Sequence, residues 1–230
     1  MNPHPSGRRY PRFADVMAGF TLTEMAIVLV IVAVLIGGML IPLSAQTEAR
    51  RTDETRRHLA DIREALLGHA IINGRLPCPM PTAVTDPANA AYGVAAATCA
   101  PGAEGLLPWK TLGMPESDAW GTRRTAAADP FAGYWRYRID DNFSTAFTLT
   151  TGTTSALAVW DAAGNRISLA AEAPVAIVFS TGPDRVANGR NAVLDADYQG
   201  GEPSAGFDDL LIWIGRPLLF NRMVGAGKLP

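Results

Sequence analysis

The side chains with chemical potential in this sequence are few and widely spaced. A single carboxylate, Glu24, stands immediately before an uncharged apolar run over residues 25–43. Both cysteines, Cys78 and Cys99, fall in one irregular segment. Residues 180–209 are rich in Asp, Asn and Gly, and oxygen-bearing side chains on such a loop are what a hard cation such as calcium requires, since it takes six to eight oxygens in loose geometry. The same residues also make ordinary solvated turns, and no EF-hand spacing is present.

The remaining chemistry is largely negative. The sequence has no Gly-x-Ser-x-Gly, no His-Glu-x-x-His and no phosphate-cradling loop; Gly225-Ala-Gly-Lys228 lacks the Walker spacing. His58 and His69 lie about three turns apart on one helical pattern and cannot converge. The first sits among charges and is expected in solvent, the second beside an apolar stripe and partly buried. The two cysteines lack the C-x-x-C spacing of a redox or metal pair, so a structural disulfide is the simpler expectation. Closing that loop would stabilise by about 3 kcal/mol in the chain-entropy model. The chain reads as a non-enzyme.

The elements that must carry these residues follow from pattern. The run 25–43 has the length of a membrane-crossing helix. Helical spacing resumes over 44–73, with Leu59, Ile62, Leu66 and Ala70 on one stripe and Asn73-Gly74 as its stop. Segment 75–105 is irregular and proline-punctuated. Trp109, Leu112 and Trp120 look like anchors of a loop on the core. Strands are expected at 133–139, 146–150, 157–160, 166–169, 175–180 and 210–214, in an antiparallel sheet, followed by a short helix from Pro217. The formal charge is -2, and removing residues 1–19, with three arginines and one aspartate, leaves -4. That balance speaks against nucleic acid as a partner.

The block Gly19-Phe20-Thr21-Leu22-Thr23-Glu24 ahead of the apolar run resembles the N-terminal signature of type IV pilins and type II secretion pseudopilins. The resemblance implies a cytoplasmic leader (1–19) cut by prepilin peptidase between Gly19 and Phe20, with methylation of the new amine. It implies a spine helix whose membrane-spanning half is 20–43 and whose periplasmic half is 44–74, and a head over 75–230. The implied fold is α+β, a long N-terminal helix packed on an antiparallel sheet. The implied partners are other pilin-like subunits, met through the N-terminal helix, prepilin peptidase and an inner-membrane assembly platform. Glu24 would be the assembly residue, neutralising the N-terminal amine of a neighbouring subunit, because a carboxylate unpaired in lipid costs about 2.5 kcal/mol or more. Two other readings of the same stretch exist. One is a secretory signal with Arg8, Arg9 and Arg12 in front and a cut near Ala45. The other is a plain anchor whose Thr21-x-x-Glu24 caps the helix. The apolar run is too long for the first, and neither explains the whole block.

In major pseudopilins a loop similar to 180–209 binds calcium, which by position implies Ser180, Asp184, Asp208 and Asp209 as ligands. Asp118-Ala-Trp-Gly with the aromatic run from Tyr134 is also similar to the opening of their sheet. The implied role is a filament subunit of a type II secretion or type IV pilus machine. Other expectations are a minor pilin whose head captures a surface or DNA, through Arg123 with Arg124 or Arg185 with Arg190, and a membrane-anchored periplasmic enzyme.

Overall fold

The computed structural model describes residues 19–121 and 133–229, with the backbone alone for 37–43. The leader arginines Arg8, Arg9 and Arg12, and the pair Arg123 and Arg124, lie outside the described residues. The chain divides into two units, Met1–Thr47 and Glu48–Pro230, and helix α1 (Leu22–Asn73) contributes to both.

In the first unit the expectation of a membrane-spanning half must be corrected. Among the described residues no helix is long and apolar enough to cross a membrane. The apolar stretch with described side chains, residues 25–36, rises about 18 Å at 1.5 Å per residue, against about 30 Å for a bilayer core.

In the second unit the rest of α1 packs as the spacing predicts. Leu59, Ile62, Leu66 and Ala70 are all buried. The helix stops where Gly74, at φ +69°, donates its N–H to the Ala70 carbonyl at 2.8 Å, a left-handed position that suits glycine. Beyond it come β1 (Gly105–Leu106), α2 (Trp109–Leu112), β2 (Arg136–Ile139), β3 (Ala158–Trp160), β4 (Pro174–Ser180), β5 (Asp197–Gln199), β6 (Leu210–Gly215) and α3 (Arg216–Gly225).

The main sheet is antiparallel in the order β1-β2-β4-β6. Strand β4 is buried at every residue, because it lies between two apolar layers and so reads as a continuous apolar run. On one side of the sheet the α1 stripe meets Tyr137, Ile139, Val178 and Ile214. On the other, Ile177 and Phe179 meet Leu157, Val159 and Tyr198. The fold is therefore α+β with an antiparallel main sheet.

A second, two-stranded sheet departs from the antiparallel expectation: β3 and β5 run parallel. The connection between them passes through β4 and is long enough for the crossover that parallel pairing needs. The expected strand at 146–150 is instead a turn. Thr151 donates its N–H to the Thr148 carbonyl at 3.0 Å and its hydroxyl accepts from Thr148 N–H at 2.9 Å, local bonds that compete with a ladder. Segment 166–169 forms no strand: Arg166 bridges to Trp160, and the N–H groups of Ile167 and Ser168 both donate to the Val159 carbonyl, at 2.8 and 3.2 Å. Cys78 and Cys99 form a disulfide, with Cα atoms 5.0 Å apart.

Candidate functional site

Two places collect the residues singled out by sequence, one in each unit. The first is the start of α1. Gly19, Phe20 and Thr21 precede the helix, and the Phe20 side chain is 80% exposed, so the bond between Gly19 and Phe20 is open backbone of the kind a protease reaches. Glu24 lies in the first turn. Its Oε2 accepts from both the N–H and the hydroxyl of Thr21 at 2.8 Å, and its own N–H donates to Thr21 Oγ1 at 3.2 Å. This is a reciprocal capping box, so the capping geometry weighed from sequence is present. It occupies one carboxylate oxygen and leaves the side chain exposed.

After Glu24 the helix is apolar on every face. Met25, Ile27, Leu29, Val30, Val34 and Leu35 are each more than half exposed within the chain, although successive residues point in different directions around the axis. A helix apolar all round is one that belongs inside something. Among the described residues nothing covers residues 25–36.

The second place is the loop cluster beyond β4 and before β6. Continuing the β4–β6 register past Ser180 and Leu210 brings residues 181–182 opposite 208–209. The approach is close: a Cβ on Gly182, at φ +66°, would sit 2.5 Å from the Asp208 carbonyl oxygen, so only glycine fits. All four implied calcium ligands lie in this cluster, yet their oxygens are largely committed. Ser180 Oγ donates to Asp118 Oδ2 at 2.5 Å and accepts from Gly182 N–H at 3.1 Å. Asp184 accepts from Val186 N–H at 2.8 Å and from Asn188 Nδ2 at 3.2 Å. Asp208 Oδ2 accepts from Asp184 N–H at 3.2 Å. Asp209 Oδ2 accepts from Asn188 N–H at 2.9 Å and Asn191 Nδ2 at 2.8 Å.

What remains is Asp208 Oδ1, Asp209 Oδ1 and Thr181 Oγ1, each buried without a hydrogen-bond partner. Three oxygens from two carboxylates and a hydroxyl fall short of a calcium shell, and among the described residues no three acidic, His or Cys side chains gather as metal ligands. The calcium ligand set implied by resemblance, Ser180, Asp184, Asp208 and Asp209, draws no support from this geometry. Hydrogen bonds hold the loop instead, with fully buried Asn191 at the centre; its amide also donates to the Gln199 carbonyl and its oxygen accepts from Gln199 N–H. Burial pushes the Asp209 carboxyl up to about 7, against the bonds from Asn188 and Asn191 that favour its charged form. The same burial raises Asp118. Asp209 is fully buried.

Other expectations resolve individually. His58 is half-buried, not solvated: it meets Trp135 edge to face, ring centroids 6.2 Å apart, because it sits one residue before the buried Leu59. His69 is half-buried as expected, with Nδ1 3.1 Å from the Arg75 carbonyl and its pKa lowered chiefly by burial. Arg190 lies over the Trp160 ring at 4.9 Å and 3.9 Å from Asp197, so it is held at home by an aromatic face and a carboxylate. Trp109 and Trp120 are buried anchors, and Trp120 Nε1 donates to Glu48 at 2.8 Å.

Sequence reading missed the buried ion pair of Glu104 and Arg136, which are 2% and 5% exposed. Tyr198 OH donates to the second Glu104 oxygen at 2.6 Å, and the Arg136 guanidinium lies 4.7 Å from the Phe179 ring centre. Adjacent glycine and alanine around Glu104 gave no signal of it. Compared with known proteins, the chain matches no family model, no curated protein and no solved structure.

Proposed function

We propose that this chain is a pilin-like subunit of a type II secretion or type IV pilus filament, structural and not catalytic. Prepilin peptidase cuts between Gly19 and Phe20, the Phe20 amine is methylated, and an assembly platform adds the subunit to others of its kind. The observation that carries this reading is the start of α1: an exposed Gly-Phe bond, one carboxylate four residues on, and then a helix apolar on all faces that no described residue covers. Packing that helix among copies of itself buries every face at once, which a single groove could not do. In such a bundle the Phe20 amine of one subunit neutralises Glu24 of the next, and the low dielectric strengthens the pair.

The head, residues 75–230, is carried outside the cytoplasm, where the Cys78–Cys99 disulfide is at home. The test is the mass of the N-terminal peptide from protein expressed with and without prepilin peptidase. The expected result is a peptide beginning at methylated Phe20 only when the peptidase is present. An uncut chain, or an N-terminus near Gln46 in both samples, overturns the reading.

A further inference from the structure

The Cys78–Cys99 bridge lacks the spacing of a redox pair, yet its two halves sit in unlike surroundings. Cys78 is 1% exposed, and its backbone bridges to Ala96. Cys99 is half-buried, and Ala97, Thr98 and Ala100 around it are exposed. A cavity of about 470 Å3 lies against the bridge, lined by both cysteines together with Arg75, Thr98 and Ser144. What the bridge offers to solvent is its Cys99 half.

Arg75 stands on the other half. Its Nη1 lies 4.0 Å from Cys78 Sγ and donates to the Ser144 carbonyl at 3.4 Å. Its backbone is fixed, because the carbonyl is 3.1 Å from His69 Nδ1 and the next N–H, of Leu76, donates to the Phe143 carbonyl at 2.9 Å. Among the described residues no carboxylate forms an ion pair with Arg75. A guanidinium so placed gains little from a disulfide sulfur, which is a weak acceptor, and much from a thiolate.

We propose that the bridge is an exchange site for a small thiol such as glutathione, attacked at Cys99 with Cys78 as the leaving group. The electron pair of the incoming thiolate forms a bond to Cys99 Sγ, the Cys78–Cys99 bond breaks, and its pair departs on Cys78 Sγ beside Arg75. A second thiolate then takes the first from Cys99, which leaves both cysteines reduced and the small thiol as its disulfide. Glutathione disulfide runs the same steps backwards, with the Cys78 thiolate expelling glutathione from Cys99. Access selects the sulfur that an outside thiolate reaches. The guanidinium selects the one that leaves, because a thiol of lower pKa leaves faster. The cavity has the size of a small-molecule pocket, within the usual range of about 300–1,000 Å3. The loop that the bridge closes is also held without it, since Met80 exchanges two backbone hydrogen bonds with Leu106 and buried Tyr92 packs edge to face on Trp109. Exchange therefore runs in the folded chain. This inference stands independently of the filament reading.

The experiment exposes the full chain to rising glutathione and counts open bridges by mass after acid quench. The opening rate is expected to rise in proportion to glutathione, to fall about fivefold in Arg75→Gln and to return toward the parent in Arg75→Lys. Losing a merely structural contact with the Ser144 carbonyl would loosen the segment and speed opening instead. Cys78→Ser and Cys99→Ser, each reduced and treated with glutathione disulfide, locate the attack: the adduct should form at Cys99 about tenfold faster than at Cys78. Where the serine variants do not fold, the kinetics of the intact bridge decide alone. A bridge that stays closed, or a rate that stops rising with glutathione because the segment must open first, overturns the proposal. So do equal or faster opening in Arg75→Gln, failure of lysine to restore the rate, and an adduct that forms as fast at Cys78 as at Cys99.

Discussion

Asp209 concentrates the electrostatics of the loop between β4 and β6. One oxygen is satisfied by two N–H donors, the other is buried with none, and burial raises its pKa to about 7. A carboxyl that holds its proton more tightly folded than unfolded makes the native state bind more protons between about pH 4 and 7. Stability must therefore fall as pH rises through that window and level off above it. Asp209→Asn keeps the acceptor toward Asn188 and Asn191 and removes the charge. It is expected to flatten the profile and to be more stable than the parent at pH 7.5 by about 2–4 kcal/mol, measured by urea unfolding from pH 4 to 8. Parallel profiles for the two proteins would show that Asp209 is ionised at little cost. The aspartates of this loop were legible in the sequence, because Asp and Gly announce a turn. Their role was not, since a cation and the amides of Asn188 and Asn191 satisfy the same oxygens and only the fold says which amides arrive. His58 shows the same limit: its neighbours in sequence are charged, but the sheet places Trp135 beside it.

At the scale of elements, Glu104 and Arg136 tie the strand pair β3–β5 to the main sheet, because Tyr198 of β5 shares the carboxylate that Arg136 of β2 holds. Burial pushes the Glu104 pKa up, while Arg136 and Tyr198 favour its ionised form. Glu104→Ala leaves a buried guanidinium without its counter-charge and is expected to cost about 3–5 kcal/mol. Replacing both residues by methionine should recover most of that loss, since a well-packed apolar pair escapes the desolvation cost. A double-mutant cycle by chemical denaturation checks it; additive losses would mean that the two side chains act separately. The long elements were legible because periodicity carried them: the α1 stripe, β4, β6 and the proline-led α3 fall where spacing puts them. Strands β1 and β5 were not. Gly105–Leu106 is two residues long, and Asp197–Gln199 buries one side chain, Tyr198, so neither has a period to read. The parallel pairing of β3 with β5 depends on the path of the intervening chain, which local pattern does not encode.

For the whole molecule, the question is what Glu24 is for, and the capping box sharpens it. If the carboxylate only finishes the first turn of α1, any side chain that accepts from Thr21 will serve. Glutamine does so, since the N3 position of a capping box takes Glu or Gln alike. If Glu24 neutralises the Phe20 amine of a neighbouring subunit, glutamine must fail, because it carries no charge to offset a buried ammonium. Glu24→Gln and Glu24→Ala therefore separate the two roles within one experiment. Both variants should still be cut at Gly19, where the bond lies outside the helix and is exposed. The head should melt as in the parent, because Glu24 belongs to the unit 1–47 and not to the one that holds the core. Filament yield, counted by sedimentation and negative-stain microscopy, should fall about tenfold or more for both variants, the loss expected when an ion pair worth 1.4 kcal/mol or more per contact is removed. Parent-level filaments from Glu24→Gln, with a loss confined to Glu24→Ala, would assign the carboxylate to the cap and leave assembly to the apolar faces of residues 25–36.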